Sequence, residues 1–140
     1  MHEIRTIMST DVVSVKRDTP VREVVELLVA HDVTGLPVVD DDGTLVGIVT
    51  EKDIMGLLAD RRDVSGRAED YMTRDVVCFD EEDDLIAVCE CLVAHHFRRV
   101  PILRWGKLAG IISRRDIVRH INDTILDDEV LRDSILEILF

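Results

Sequence analysis

Two short runs carry residue types from which chemistry could be built: Thr50-Glu51-Lys52-Asp53 and Ser113-Arg114-Arg115-Asp116, each a hydroxyl followed three positions later by a carboxylate. At the start of a helix this spacing makes a capping box. The hydroxyl accepts a bond from the third helical N–H while the carboxylate reaches back to the cap, a pairing that contributes about 1 kcal/mol without any ligand. The same groups could also hold a small molecule. Each run directly follows Gly-Ile and another β-branched residue (Gly47-Ile48-Val49 and Gly110-Ile111-Ile112), and a glycine there leaves space for something to approach the backbone. A helix N-terminus offers N–H groups and a positive dipole end to phosphate. The carboxylate repels phosphate but can accept two hydrogen bonds from a cis-diol. A ribonucleotide carries a diol and a phosphate a few ångströms apart.

Other reactive residues are less organised. His95 and His96 are adjacent and diverge on a helix, and His31 matches His95 between the repeats described below, so no metal site is expected. Cys89 falls on an apolar helical face and reads as a small hydrophobe. Trp105 sits at a turn signal, Trp105-Gly106, where stacking on adenine competes with an exposed or dimer-contact role. No Ser–His–Asp set or paired-carboxylate centre emerges, so no catalytic residue is assigned and no enzyme is expected.

Charge narrows the partners. The net charge of −12 argues against a nucleic-acid binder. Arg98, Arg99, Arg104, Lys107, Arg114, Arg115 and Arg119 nevertheless cluster within 22 residues with one acid, Asp116, while the rest of the chain holds ten of the 17 basic residues and 28 of the 29 acids. Such a zone suits a small anion better than a polymer, and a solvated basic face is the plainer alternative. No apolar run reaches the ~18 residues of a membrane span. Met1-His2-Glu3-Ile4-Arg5 lacks the apolar stretch of a signal peptide, and three cysteines show no disulfide spacing, so a cytoplasmic protein without membrane insertion is expected.

The elements that would position these groups occur twice. Met8-Ser9-Thr10-Asp11-Val12-Val13 returns as Met72-Thr73-Arg74-Asp75-Val76-Val77, offset by 64 residues, and the Gly-Ile runs return offset by 63. In each copy a short strand (12–15, 76–79) precedes a one-sided helix. The first helix is apolar at Val21, Val24, Val25, Leu28 and Val29, the second at Leu85, Val88, Cys89, Leu92 and Val93. Thr19 reads as the N-cap of the first, with Pro20 at the first helical position. Leu36-Pro37-Val38-Val39 and Val100-Pro101-Ile102-Leu103 read as buried strands. Turn signals and a returning strand complete a hairpin, and the second helices open at Thr50 and Ser113. Each unit is strand–helix–strand–strand–helix, so the fold class is α+β, with two pseudo-twofold-related repeats and a C-terminal helix. The expected division is 1–60 and 71–122 for the repeats, 61–70 for a polar linker and 123–140 for a tail. In the tail Leu131, Ile135, Ile138 and Leu139 form an apolar stripe that would dock on its own domain or on a partner.

The doubled unit, its Met-Ser/Thr-x-Asp-Val-Val openings, its x-Pro-Val/Ile strands and its Gly-Ile-x-Ser/Thr-x-x-Asp closings resemble a tandem cystathionine-β-synthase (CBS) domain pair, or Bateman module, over about residues 7–121. The resemblance implies a disc of two repeats with two clefts for adenosine ligands such as AMP, ADP, ATP or S-adenosylmethionine, and no required cofactor. It makes Asp53 and Asp116 ribose-diol acceptors, with Thr50 and Ser113 on phosphate or nearby ribose oxygens. Val76-Val77 and Val12-Val13 would line the adenine pockets. Basic residues before the x-Pro strand hold phosphate in similar nucleotide-binding pairs. Here Arg98 and Arg99 occupy those positions in one repeat and Thr34 and Gly35 in the other, so the cleft of Thr50 and Asp53 would gain two arginines and the other none. The expected function is a regulatory energy or metabolite sensor, a homodimer acting on an unidentified protein. The alternative is a structural dimerisation or interaction module with no small-molecule ligand.

Overall fold

The computed structural model describes residues 4–61, 64–95, 97–124 and 129–139. They divide into two compact units. One holds residues 13–76 with 106–108; the other holds, over its described residues, 4–12, 77–105 and 109–139. The opening segment of each repeat therefore belongs to the unit built by the other repeat.

The first-repeat unit contains β1 (Val15–Lys16), α2 (Val21–Ala30), β2 (Gly35–Val39), β3 (Leu45–Thr50), α3 (Glu51–Arg61) and the short α4 (Ala68–Tyr71). The second-repeat unit contains α1 (Ile4–Ile7), β4 (Phe79–Asp80), α5 (Leu85–His95), β5 (Arg99–Arg104), most of β6 (Lys107–Ser113), α6 (Arg114–Asp123) and α7 (Glu129–Leu139). Each sheet has three strands, in the orders β1-β2-β3 and β4-β5-β6. Val15 opposes Val38 in one parallel pair and Phe79 opposes Ile102 in the other, so the repeats keep the same register. The architecture is the α+β duplication with a C-terminal helix that the sequence predicts.

The apolar stripes face two separate cores. Val24, Leu28, Leu36, Val38, Val49, Ala68 and Met72 cluster with Val15 in one unit; Leu85, Val88, Cys89, Leu92, Val100, Ile102, Ile112 and Ile117 cluster in the other. Burial pushes the Cys89 thiol up to about 11, in keeping with a packed hydrophobe. The tail stripe resolves in favour of its own domain: Ile135 is fully buried in the second core, with Ile138 and Leu139 packed against it. Leu131 lies where no side chain is described.

Several expectations are corrected. The Val-Val pairs are not strands; the first strands begin at Val15 and Phe79. Upstream, Ser9 and Thr73 exchange backbone bonds with Ile111 and Ile48, so the intervening valines span from one unit to the other and form no ladder. Thr19 does not cap α2. Its hydroxyl accepts from the Lys16 N–H, and Pro20 is the N-cap, its carbonyl taking the first helical bonds. Val29 (77% exposed) and Val93 (38%) leave the buried stripe, since each lies in the last turn of its helix, past the last buried residue, Leu28 or Leu92. Residues Ala68–Tyr71, at the end of the stretch joining the repeats, form the short α4. The N–H groups of Ala68 and Glu69 donate to Thr19 and Arg17 carbonyls, and Ala68 is fully buried.

One repeat-equivalent pair is charge-reversed. Arg17 Nε donates to Asp40 Oδ1 at 2.5 Å in the first unit, and Arg104 Nε donates to Glu81 Oε1 at 2.6 Å in the second. Arginine and carboxylate have exchanged repeat-equivalent positions, 64 residues apart, while the bond is kept.

Candidate functional site

The sequence places Thr50 as the last residue of β3 and Asp53 in the first turn of α3, and a complete capping box forms. Thr50 N–H donates to Asp53 Oδ2 at 2.9 Å, Thr50 Oγ1 donates to the same oxygen at 3.0 Å, and Asp53 N–H donates to Thr50 Oγ1 at 3.3 Å. Thr73, which sequence reasoning passed over, adds its hydroxyl at 3.3 Å from Asp53 Oδ1 and 3.4 Å from Oδ2. Its position in the repeated Met-Ser/Thr opening was the available signal. Three neutral donors thus orient the Asp53 carboxylate without neutralising it.

Beside Asp53 a cavity of about 380 Å³ runs along α3, lined by Thr50, Lys52, Asp53, Gly56, Asp60, Tyr71 and Thr73 among others. A methyl group on Gly56 would meet nothing within 4 Å, so this side of the helix is open. All of these residues belong to the first-repeat unit.

The second repeat differs. Ser113 caps α6, accepting from Asp116 N–H at 3.0 Å, and Asp116 Oδ2 accepts from Ser113 N–H at 2.9 Å. The outer oxygen, Oδ1, faces Arg119 Nη1 at 3.5 Å. Arg119 stands at the position that Gly56 holds in the first repeat, 63 residues earlier. One carboxylate borders open space; its twin borders a guanidinium.

Two expectations about free groups change. The space beside Gly47 is already occupied: a methyl there would lie 2.6 Å from Met72 Sδ and 3.0 Å from the Thr73 carbonyl oxygen. Gly110 is closed in the same way by Met8 and the Ser9 carbonyl. The helix starts are also less available to phosphate. The Glu51 and Arg114 N–H groups donate to the Thr34 and Arg98 carbonyls, and the Asp53 and Asp116 N–H groups serve the caps.

The basic zone divides into structural and uncommitted members. Arg104 holds Glu81, keeping that carboxyl below its ordinary range. Arg114 donates to the Phe97 and Leu92 carbonyls at 2.6 and 2.7 Å, closing the end of α5. Arg98 precedes β5 and Arg99 opens it, and Arg99 Nε is buried without a hydrogen-bond acceptor among the described residues. Thr34 and Gly35 lead into β2 in the other unit. Of the valines, Val13 and Val76 fall in the first-repeat unit and Val12 and Val77 in the second, all at least partly accessible.

Trp105 is 90% exposed at a left-handed turn (φ 57°), which agrees with the exposed role. His95 stacks on Phe97 with centroids 5.4 Å apart; His96 lies outside the described residues. Among the described residues no group of three or more His, Cys, Asp or Glu side chains could hold a metal ion. No helix among them is long and apolar enough to cross a membrane.

A family model described as the CBS domain matches residues 4–60 and again 68–123. Protein MJ1225 of Methanocaldococcus jannaschii, described as uncharacterized, is 33% identical over 116 residues, which is 83% of this chain and 41% of the relative. The chain thus spans about two fifths of that relative's length. Among solved structures, CBSX2 of Arabidopsis thaliana in complex with AMP aligns with a TM-score of 0.78 and 32% identity, over 87% of this chain and 97% of that one. The CBS domain pair of protein MJ0100, in complex with 5′-methylthioadenosine and S-adenosyl-L-methionine, aligns with a TM-score of 0.72 and 28% identity, over 84% and 98%.

Proposed function

The chain belongs to the CBS-domain family, and from that premise we propose that it is a regulatory module that binds an adenosine ligand and performs no catalysis. Support comes from the ligands named for the two solved structures, AMP in one and 5′-methylthioadenosine with S-adenosyl-L-methionine in the other. The observation in this chain that carries the reading is Asp53. Its carboxylate is held by Thr50 and Thr73 and borders a cavity, an arrangement that suits a ribose diol.

AMP, ADP or ATP is favoured over an uncharged adenosine compound by Arg99. A buried N–H without an acceptor costs stability until an acceptor arrives, and a phosphate oxygen is a strong one. Arg98 and Arg99 are assigned the phosphate, Val12, Val13, Val76 and Val77 the adenine, and Ser113 and Asp116 with Thr34 and Gly35 the less charged site. The working form is proposed to be a cytoplasmic homodimer acting on another protein. The ligand shifts its population of arrangements, with α7 as the element most readily coupled to the core through Ile135.

A ligand-free interaction module is the second reading, favoured by the Thr50 hydroxyl, whose proton and one of its two acceptor positions are used inside the capping box. Isothermal titration calorimetry against AMP, ADP, ATP and S-adenosylmethionine, with Arg99→Ala alongside, separates the two. Binding that the variant weakens for the nucleotides supports the sensor. Silence across the panel, in protein free of carried-over ligand, supports the interaction module.

A further inference from the structure

The two aspartates are equivalent in sequence and unequal in surroundings. Among the described residues the hydrogen-bond donors to Asp53 are neutral, and the helix position one turn beyond it is a glycine whose missing side chain leaves the neighbouring space open. Asp116 has Arg119 at that position, with Nη1 3.5 Å from the outer carboxylate oxygen. The Asp116 side chain is 18% exposed and the Arg119 side chain 62%, so the guanidinium lies on the more exposed side of the pair. The hydroxyl that completes the first site has no counterpart in the second. Thr73 bonds Asp53, whereas its repeat equivalent Ser9 bridges Ile111 through its backbone alone among the interactions described.

A cis-diol binds a carboxylate by donating two hydrogen bonds to oxygens that are free to accept them. Asp53 lines the cavity, and among the described residues its Oδ1 accepts from the Thr73 hydroxyl alone. At Asp116 a diol must first displace a cation. An exposed ion pair one helical turn apart is weak by itself, so the obstruction rests mainly on the side chain beside that oxygen.

We propose that Arg119 is a specificity-determining residue that closes the second-repeat site to ribose, so that each chain takes one adenosine ligand, at Asp53. The inference rests on the adenosine reading above and goes further by assigning stoichiometry to the Gly56/Arg119 difference. Helix α6 does not depend on Arg119 for its start, because Ser113 caps it. Removing the side chain should therefore open the site without unfolding the unit.

The test is calorimetric titration of AMP and of adenosine into the full chain and into Arg119→Gly, Asp53→Ala and Arg119→Gly/Asp116→Ala. Circular dichroism confirms the fold of each variant. The expected result is one ligand per chain for the natural protein, two for Arg119→Gly, a return to one when Asp116→Ala is added, and binding weakened by about tenfold or more for Asp53→Ala. Two ligands per chain in the natural protein overturn the proposal and leave the adenosine reading intact. So does one ligand in Arg119→Gly. No binding of either compound by any folded variant overturns the adenosine reading and the proposal with it.

Discussion

Gly47 offers the sharpest test of how the repeats are built. It is buried and does not use a left-handed conformation, so alanine is allowed by its backbone. The added methyl would lie 2.6 Å from Met72 Sδ, 2.9 Å from Met72 Cγ and 3.0 Å from the Thr73 carbonyl oxygen. The sulfur can swing aside only within a core where Met72 is 8% exposed, and the carbonyl is held by the Ile48 N–H at 2.9 Å. Overpacking of this kind costs about 1–3 kcal/mol, and the reduced freedom of the unfolded chain returns about 0.4–1 kcal/mol. The net expectation for Gly47→Ala is a loss of about 1–2 kcal/mol, or roughly 3–8 °C in Tm for a chain of this size. Urea and thermal denaturation of ligand-free protein read it directly. Met72→Ala should cost about 2–5 kcal/mol alone, and the double variant less than the sum, because the new methyl enters the space that the thioether leaves. Were the glycine present only to admit a ligand, ligand-free Gly47→Ala would be as stable as the natural protein or more so, and that result would refute the packing argument.

Gly56→Ala is the counterpart in open space: its methyl touches nothing within 4 Å, and α3 should gain about 0.5–1 kcal/mol from helix propensity, measured by the urea midpoint. Glu81→Arg places two guanidinium groups together at Arg104, and adding Arg104→Glu rebuilds the sense of the Arg17–Asp40 pair, so a double-mutant cycle in chemical denaturation should show favourable coupling; strict additivity would mean that the pair does not interact. The folded-state pKa of Cys89 is raised above its unfolded value, so the unfolded chain loses its proton first as pH rises. Stability should decline between pH 9.0 and about 11, and Cys89→Ala should flatten that decline in pH-dependent unfolding.

The repeat made most of the fold legible. Two apolar helix faces, two x-Pro strands and two Gly-Ile strands at constant offset left little choice of element order, and Ser113 and Thr50 announced their helices through the spacing to Asp116 and Asp53. Local pattern could not show that Met8 and Met72 fill the space above glycines more than 20 residues away, because that contact depends on which sheet the opening segments join. The same limit explains the Val-Val pairs, whose β-branched residues signal strand while their backbone spans between units. In the candidate site the capping residues were readable, whereas Thr73 was hidden by distance along the chain. Gly56 and Arg119 were visible in principle, since laying one repeat over the other exposes the difference, but its meaning needed the 3.5 Å approach to Asp116.

The central claim is that Asp53 receives a ribose diol. Its most direct test compares AMP with its 2′,3′-dideoxy analogue by calorimetry, on the natural protein and on Asp53→Ala. The account predicts that removing the diol weakens binding to the natural protein by about tenfold or more, the scale of a lost pair of charge-assisted bonds, and changes nothing further in the variant. Equal affinity of the natural protein for both ligands, or the same loss with and without the carboxylate, would contradict it.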